Sequence, residues 1–272
     1  MNPEVESMLE LAEDPRMIRG IYNYCHRWCE RCPFTERCTV FRENRRFETE
    51  HPERTPFEHV HASFQQMIEL LKAWCAREGV DFAQIAQEAK SDAAVTDQRL
   101  SDEAVVAEPL SKLANAYLAA SWEVVRAIER TPHFKDSDAR AQDAVETIRW
   151  YAAFIGAKID RALHGARQSA DDRFEEDPIQ NDWNGSAKTA RLAIEASRHA
   201  WLIVLGAGQA PAQSPLRQMV DVLNRLDSGI ADRFPDAMLF VRPGFDEPEV
   251  AAGAWSSLDC FDPRPHRSSS QL

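Results

Sequence analysis

The sequence predicts an all-α fold: a helical bundle of about five long helices with a small N-terminal Cys-rich metal module. Three observations carry that expectation. Glycine is scarce, 10 of 272 residues, while Ala and Leu are common and long windows run without turn signals. Apolar residues recur at steps of three and four, and no alternating strand pattern lasts more than a few residues. Four of the six cysteines fall in one short segment, "CHRWCERCPFTERC", residues 25–38.

Each element follows from its pattern. Between Asp14 and Arg31, residues Ile18, Ile21, Tyr22, Cys25, Trp28 and Cys29 keep the helical step, which predicts a helix with Cys25 and Cys29 one turn apart on one side. Pro33 disfavours helical geometry at Cys32 and ends that helix. Thr35 is placed to cap a short helix carrying Cys38. Residues 42–55 are polar and read as a linker or a solvated helix. Phe57, Val60, Phe64, Met67, Ile68, Leu71, Trp74 and Cys75 predict a long helix ending at Gly79, and a short helix near 81–90 follows.

Three further long helices are readable. One carries Leu110, Leu113, Tyr117, Leu118, Val124, Val125 and Ile128 between Pro109 and Pro132. A second, from about Asp138 to His164, carries Val145, Ile148, Tyr151, Ile155, Ile159 and Leu163, with Trp150, Ala153, Phe154 and Ala157 on its other faces. Such a helix belongs at the centre. The third, from Ser186 to about Leu205, has small residues at Ala187, Ala190, Ala193 and Ser197 that permit close packing. A last helix opens at Ser214 with Pro215 in its first turn and a face of Leu216, Met219, Val220, Leu223, Leu226 and Ile230. There is no internal repeat and no sustained heptad pattern. The expected division is 1–54 for the N-terminal helix and metal module, 55–245 for the bundle, and 246–272 for a poorly ordered tail.

Charge narrows the functional classes. Charged residues make up 28% and the net charge is −12, so phosphate backbones and anionic headgroups are repelled, and neither nucleic acid nor membrane is expected as a partner. The acidic start lacks a cationic segment followed by an apolar run, which predicts a cytoplasmic protein. In that compartment clustered cysteines bind metal more often than they form disulfides.

Cys25, Cys29, Cys32 and Cys38 are spaced Cys-x3-Cys-x2-Cys-x5-Cys. Four thiolates complete either a tetrahedral zinc site or a cubane iron–sulfur cluster. Structural zinc usually takes two pairs a dozen or more residues apart, whereas ligands this closely spaced suit a larger [4Fe–4S] cluster. "CERCPFTERC" resembles the Cys-x2-Cys-x5-Cys run of SPASM auxiliary iron–sulfur segments, and Pro33 after a ligand cysteine resembles ferredoxins. That resemblance covers about ten residues and implies a cluster type, not a reaction. The whole chain also resembles uncharacterised bacterial helical proteins with a similar Cys segment, from which no activity carries over. "CHRWCERC" matches the spacing of radical S-adenosylmethionine enzymes as well. Those resemble partial (β/α) barrels with an open iron, while this chain lacks βα alternation and supplies Cys38 as a fourth ligand. Zinc, disulfides or redox thiols, and purely packing cysteines stay open as alternatives. A closed cluster points to electron transfer, with an unknown redox partner protein, to redox sensing, or to a structural clamp. His26 is expected to face solvent, Cys75 to lie in the core, and Cys260 to be incidental.

Other chemistry has weaker signals. A di-metal bundle site needs Glu-x-x-His pairs, and Glu58/His61 and Glu48/His51 have that spacing, with Glu123, Glu146, Glu195 and His199 as further donors. "NDWNGSAK" opens a helix whose amides would attract an anion, with Lys188, Arg191 and Arg198 behind it. Lys158 and Arg161 on the central helix need partners, for which Asp182, Glu146 and Glu195 are candidates. The alternative to an anion site is an internal salt-bridge network. "LGAGQAP" is a loop, not a dinucleotide fingerprint. Whether the protein is an enzyme is left open by these patterns.

Overall fold

The computed structural model describes residues 3–88, 90, 102–135, 139–171, 177–207 and 213–247. Among them there is no strand, and the class is all-α. Nine α-helices are delimited among the described residues, rather than about five long ones, and the chain divides into two compact units. One comprises Met1–Tyr22 and Cys32–Leu100, the other Asn23–Arg31 and Ser101–Leu272. No described helix is long and apolar enough to cross a membrane.

The first unit holds α1 (Pro3–Glu13), α2 (Thr39–Glu50), α3 (Pro56–Glu78) and α4 (Phe82–Glu88). Helix α3 has strong ends. Thr55 accepts from the Glu58 amide, the Glu58 carboxylate accepts from the Thr55 amide, and Pro56 opens the first turn. At its other end Gly79 adopts the left-handed conformation (φ 71°) that closes helices. Cys75 is buried here as expected. The stretch at 42–55 is helical through Glu50, with Phe47 inward and the rest largely solvated.

The predicted helix over Asp14–Arg31 does not form. Gly20 is left-handed at φ 73°, Arg27 likewise at φ 58°, and only short 3-10 turns occur at Ile21–Asn23, Cys29–Arg31 and Thr35–Arg37. Cys25 and Cys29 therefore do not lie one helical turn apart. Steps of three and four also describe a coil of successive tight turns, each burying its own apolar residue. Met17, Ile18, Ile21, Trp28 and Phe34 are all buried in this way. Thr35 opens a 3-10 turn rather than a helix, and Cys38 is the N-cap residue of α2.

The second unit is built on α5 (Pro109–Glu129), α7 (Ala139–Asp171), α8 (Asp182–Gly206) and α9 (Gln213–Arg233), with short α6 (Pro132–Lys135) joining the first two. Helix α7 packs most extensively on α8 and also on α5, while α9 covers α5 and α8. The predicted face of α7, Val145 through Leu163, is buried, but Ala153 and Ala157 are exposed. Small residues let α8 sink deepest: Ala187, Ala190, Ala193 and Ser197 are buried on it, beside the large Trp201. Its indole donates to the buried Tyr117 hydroxyl at 3.1 Å. Past α9 the chain stays packed, with Phe234, Phe240 and Phe245 buried. Cys260 and nearly all of the expected tail lie outside the described residues.

Candidate functional site

Residues Asn23–Arg31, which carry Cys25 and Cys29, are tied down by α7 and α8. The Tyr24 hydroxyl bonds the Asp182 carboxylate at 3.0 Å, and its ring meets Phe240 edge-on at 4.6 Å. Thr189 Oγ1 donates to the Tyr24 carbonyl at 3.3 Å, and Lys158 Nζ donates to the Asn23 carbonyl at 2.6 Å. The Trp150 indole donates to the His26 carbonyl at 2.9 Å. Trp28 stacks on Trp150 with ring centroids 4.9 Å apart, and the Arg31 guanidinium lies 3.6 Å from the Trp28 ring centre. Arg31 in turn binds Asp143 at 2.6 Å and Glu146 at 2.8 Å.

Within this loop the left-handed Arg27 turns its amide back toward Cys25, donating to Sγ at 3.4 Å. The Cys29 thiol approaches the Arg27 carbonyl at 3.9 Å. His26 is only 1% exposed, so it is not the solvated residue expected. Its Nδ1 accepts the Trp28 amide at 3.0 Å, which places the proton of the neutral ring on Nε2. The helical argument turned its side chain outward, and without the helix that argument lapses. Lys158 is buried, and burial first, then Arg161, pushes its ammonium pKa down to about 8, against an opposing pull from Cys25.

Cys32 and Cys38 belong to the first unit. The Cys38 amide donates to the Thr35 carbonyl at 3.2 Å, and its own carbonyl accepts the Arg42 amide at 3.0 Å. Arg37 fastens the same turn: its carbonyl accepts from the Ile18 amide and its Nε donates to the Arg16 carbonyl at 3.0 Å. All four cysteines are half-buried. Among the described residues, no three or more His, Cys, Asp or Glu side chains are drawn together closely enough to hold a metal ion as they stand.

Of the other sequence-nominated donors, Glu58 and His61 have structural work. Glu58 completes the α3 capping box, and His61 Nε2 is bonded to Gln65 at 3.0 Å. Glu195 and His199 lie on the wall of a cavity of about 600 Å³ with Arg140 and Arg198. The cations proposed for an anion pocket are drawn into internal pairs. Arg161 binds Asp182 at 2.5 Å, Arg191 binds Asp227 at 2.7 Å, and Arg198 meets Asn224 at 3.3 Å. Lys188 donates to the Phe240 carbonyl at 2.6 Å and meets Asp246 at 2.7 Å. At the start of α8, Asn181 caps the helix by accepting the Asn184 amide. The salt-bridge alternative thus describes Arg161, Lys188 and Arg191, whereas Arg198 meets a neutral amide and Lys158 a backbone carbonyl.

Sequence patterns did not reveal the cluster around Arg242. This arginine is 0% exposed, and its guanidinium binds Asp246 at 2.9 Å. Burial pushes the Asp246 carboxyl up, but hydrogen bonds and charge from Arg242, with Lys188, outweigh that and hold it below the ordinary value. Asp246 and Lys188 are far apart in sequence, and no local spacing signals their pairing. Comparison with family models, curated proteins and solved structures returns no match.

Proposed function

We propose that Cys25, Cys29, Cys32 and Cys38 bind one [4Fe–4S] cluster, and that the protein is an electron-transfer, redox-sensing or structural iron–sulfur protein. The observation that carries the reading is the placement of four cysteines within 14 residues at x3, x2 and x5 spacing. The donor set is chemically suited to the group. Cys25 Sγ already accepts the Arg27 amide, and hydrogen bonds to sulfur are among the features that set cluster potentials. When bound, such a cluster supplies one-electron chemistry. The chain's own residues hold the ligand backbone: Tyr24, Trp28 and Arg31 anchor one pair, and Arg37 with the α2 N-terminus anchors the other.

Cytoplasmic localisation belongs to the same proposal, as does a redox partner protein, since a cluster used for electron transfer requires one. The test is Cys38→Ala in anaerobically prepared full-length protein. Iron and labile sulfide are expected to be lost. Undiminished iron in the variant removes Cys38 from the site.

A further inference from the structure

We propose that a C-terminal strap, Phe234–Asp246, positions Cys25 and Cys29, and that Lys188, Asp246 and Arg242 form the latch that keeps the strap docked. The inference rests on reading these two cysteines as ligands. It adds what governs their retention: a segment at the opposite end of the described chain.

The strap follows α9 and contains one 3-10 turn, Ala237–Leu239. With so little regular backbone bonding of its own, it takes its place from side chains. Asp246 meets Lys188 at 2.7 Å and Arg242 at 2.9 Å, and Lys188 also donates to the Phe240 carbonyl at 2.6 Å. Midway along, Gln180 bonds Val241 in both directions. It accepts the Val241 amide at 3.0 Å and donates to the Val241 carbonyl at 2.7 Å. These anchors bury the rings of Phe240 and Phe245.

The two rings meet the two sequence neighbours of Cys25. Phe240 lies edge-on to Tyr24 over Gly185, and Phe245 lies edge-on to His26 with ring centroids 6.4 Å apart. Helices α7 and α8 grip the same loop largely by its backbone, since Lys158, Thr189 and Trp150 donate to the carbonyls of Asn23, Tyr24 and His26. Those bonds fix the path of the chain, and the strap packs against the side chains. The His26 ring matters most, because its Nδ1 accepts the Trp28 amide at 3.0 Å and so closes the turn that leads into Cys29. Arg27, whose amide donates to Cys25 Sγ, lies inside that turn. A His26 ring that loses its support opens the turn and loosens both thiols together. Coupling of this kind is reciprocal: whatever Cys25 and Cys29 hold in this conformation tightens the strap in return.

The test is amide hydrogen exchange, read by mass spectrometry, of the peptide covering residues 23–31 in reduced, chelator-treated full-length protein. The variants are Asp246→Asn, which removes the latch, and Gln180→Ala, which removes an exposed anchor that touches no cysteine. Exchange at 23–31 is expected to quicken roughly fivefold in Gln180→Ala, as for the loss of one net hydrogen-bond contribution, and further in Asp246→Asn. Peptides from α5 are expected to keep their wild-type exchange. Should Asp246→Asn fail to fold, Gln180→Ala decides alone. Unchanged exchange at 23–31 overturns the proposal, because α7 and α8 then hold the loop unaided. In anaerobically purified protein, iron release to a ferrous chelator is expected to quicken in the same variants. Unchanged release beside a loosened loop overturns the positioning of the ligands. Wild type without iron contradicts the cluster reading instead, and the exchange comparison, made without metal, still judges the strap.

Discussion

At Gly185 there is room for hydrogen alone. A Cβ there would stand 2.4 Å from the Tyr24 ring and 2.7 Å from Phe240, so this glycine lets the cysteine-bearing loop and the C-terminal segment meet on α8. Gly185→Ala is expected to destabilise the protein by roughly 1–3 kcal/mol through overpacking, read as a lower denaturant midpoint. An unchanged midpoint would show that Tyr24 yields freely. A second test concerns Asp246, which stands between the buried Arg242 and Lys188. Asp246→Asn leaves two buried cations without their carboxylate, and an expected loss of about 3–5 kcal/mol follows. The pH dependence has a definite sign. The folded carboxyl titrates below its ordinary 3.8, so its contribution is fully present at neutral pH and is lost as pH falls through the folded value. The gap between wild type and Asp246→Asn should therefore narrow only in acid. Neither residue stood out in the sequence, because close approach and distant ion pairing leave no local periodic trace.

Among the elements, α3, α4, α5, α7, α8 and α9 were legible from their apolar periodicity, and Gly79 and Pro109 bound helices where sequence reasoning placed them. The short α6 and the Thr55–Glu58 cap were not read from the sequence. Thr55→Ala should remove the reciprocal cap and cost about 1 kcal/mol, seen as reduced stability of the first unit without loss of the second. An unchanged stability of the first unit would show that the cap contributes nothing measurable. The segment over 14–38 was misread because period alone cannot separate a helix from linked 3-10 turns. Gly20 and Arg27 decide that case through their left-handed backbone, and a non-glycine residue such as Arg27 gives no advance sign of it. The α3 face was recognised as apolar, but a pattern that says "buried" does not say against what.

Over the whole molecule, class was readable from composition and period, while the division into units was not. The boundary between Arg31 and Cys32 falls inside the cysteine segment. Local spacing treats that segment as one motif, whereas the Trp150 bond to His26 and the Arg31 pairs with Asp143 and Glu146 assign its first half to a helix far downstream. The candidate ligands were identifiable because thiol spacing is a local property, and their surroundings were not, because Trp28, His26 and Arg31 take their roles from α7. The central claim is the cluster, and metal analysis of full-length protein purified anaerobically tests it most directly. The account predicts brown protein with about four irons and matching labile sulfide per chain. Colourless protein carrying a single zinc, or no metal at all, would contradict it.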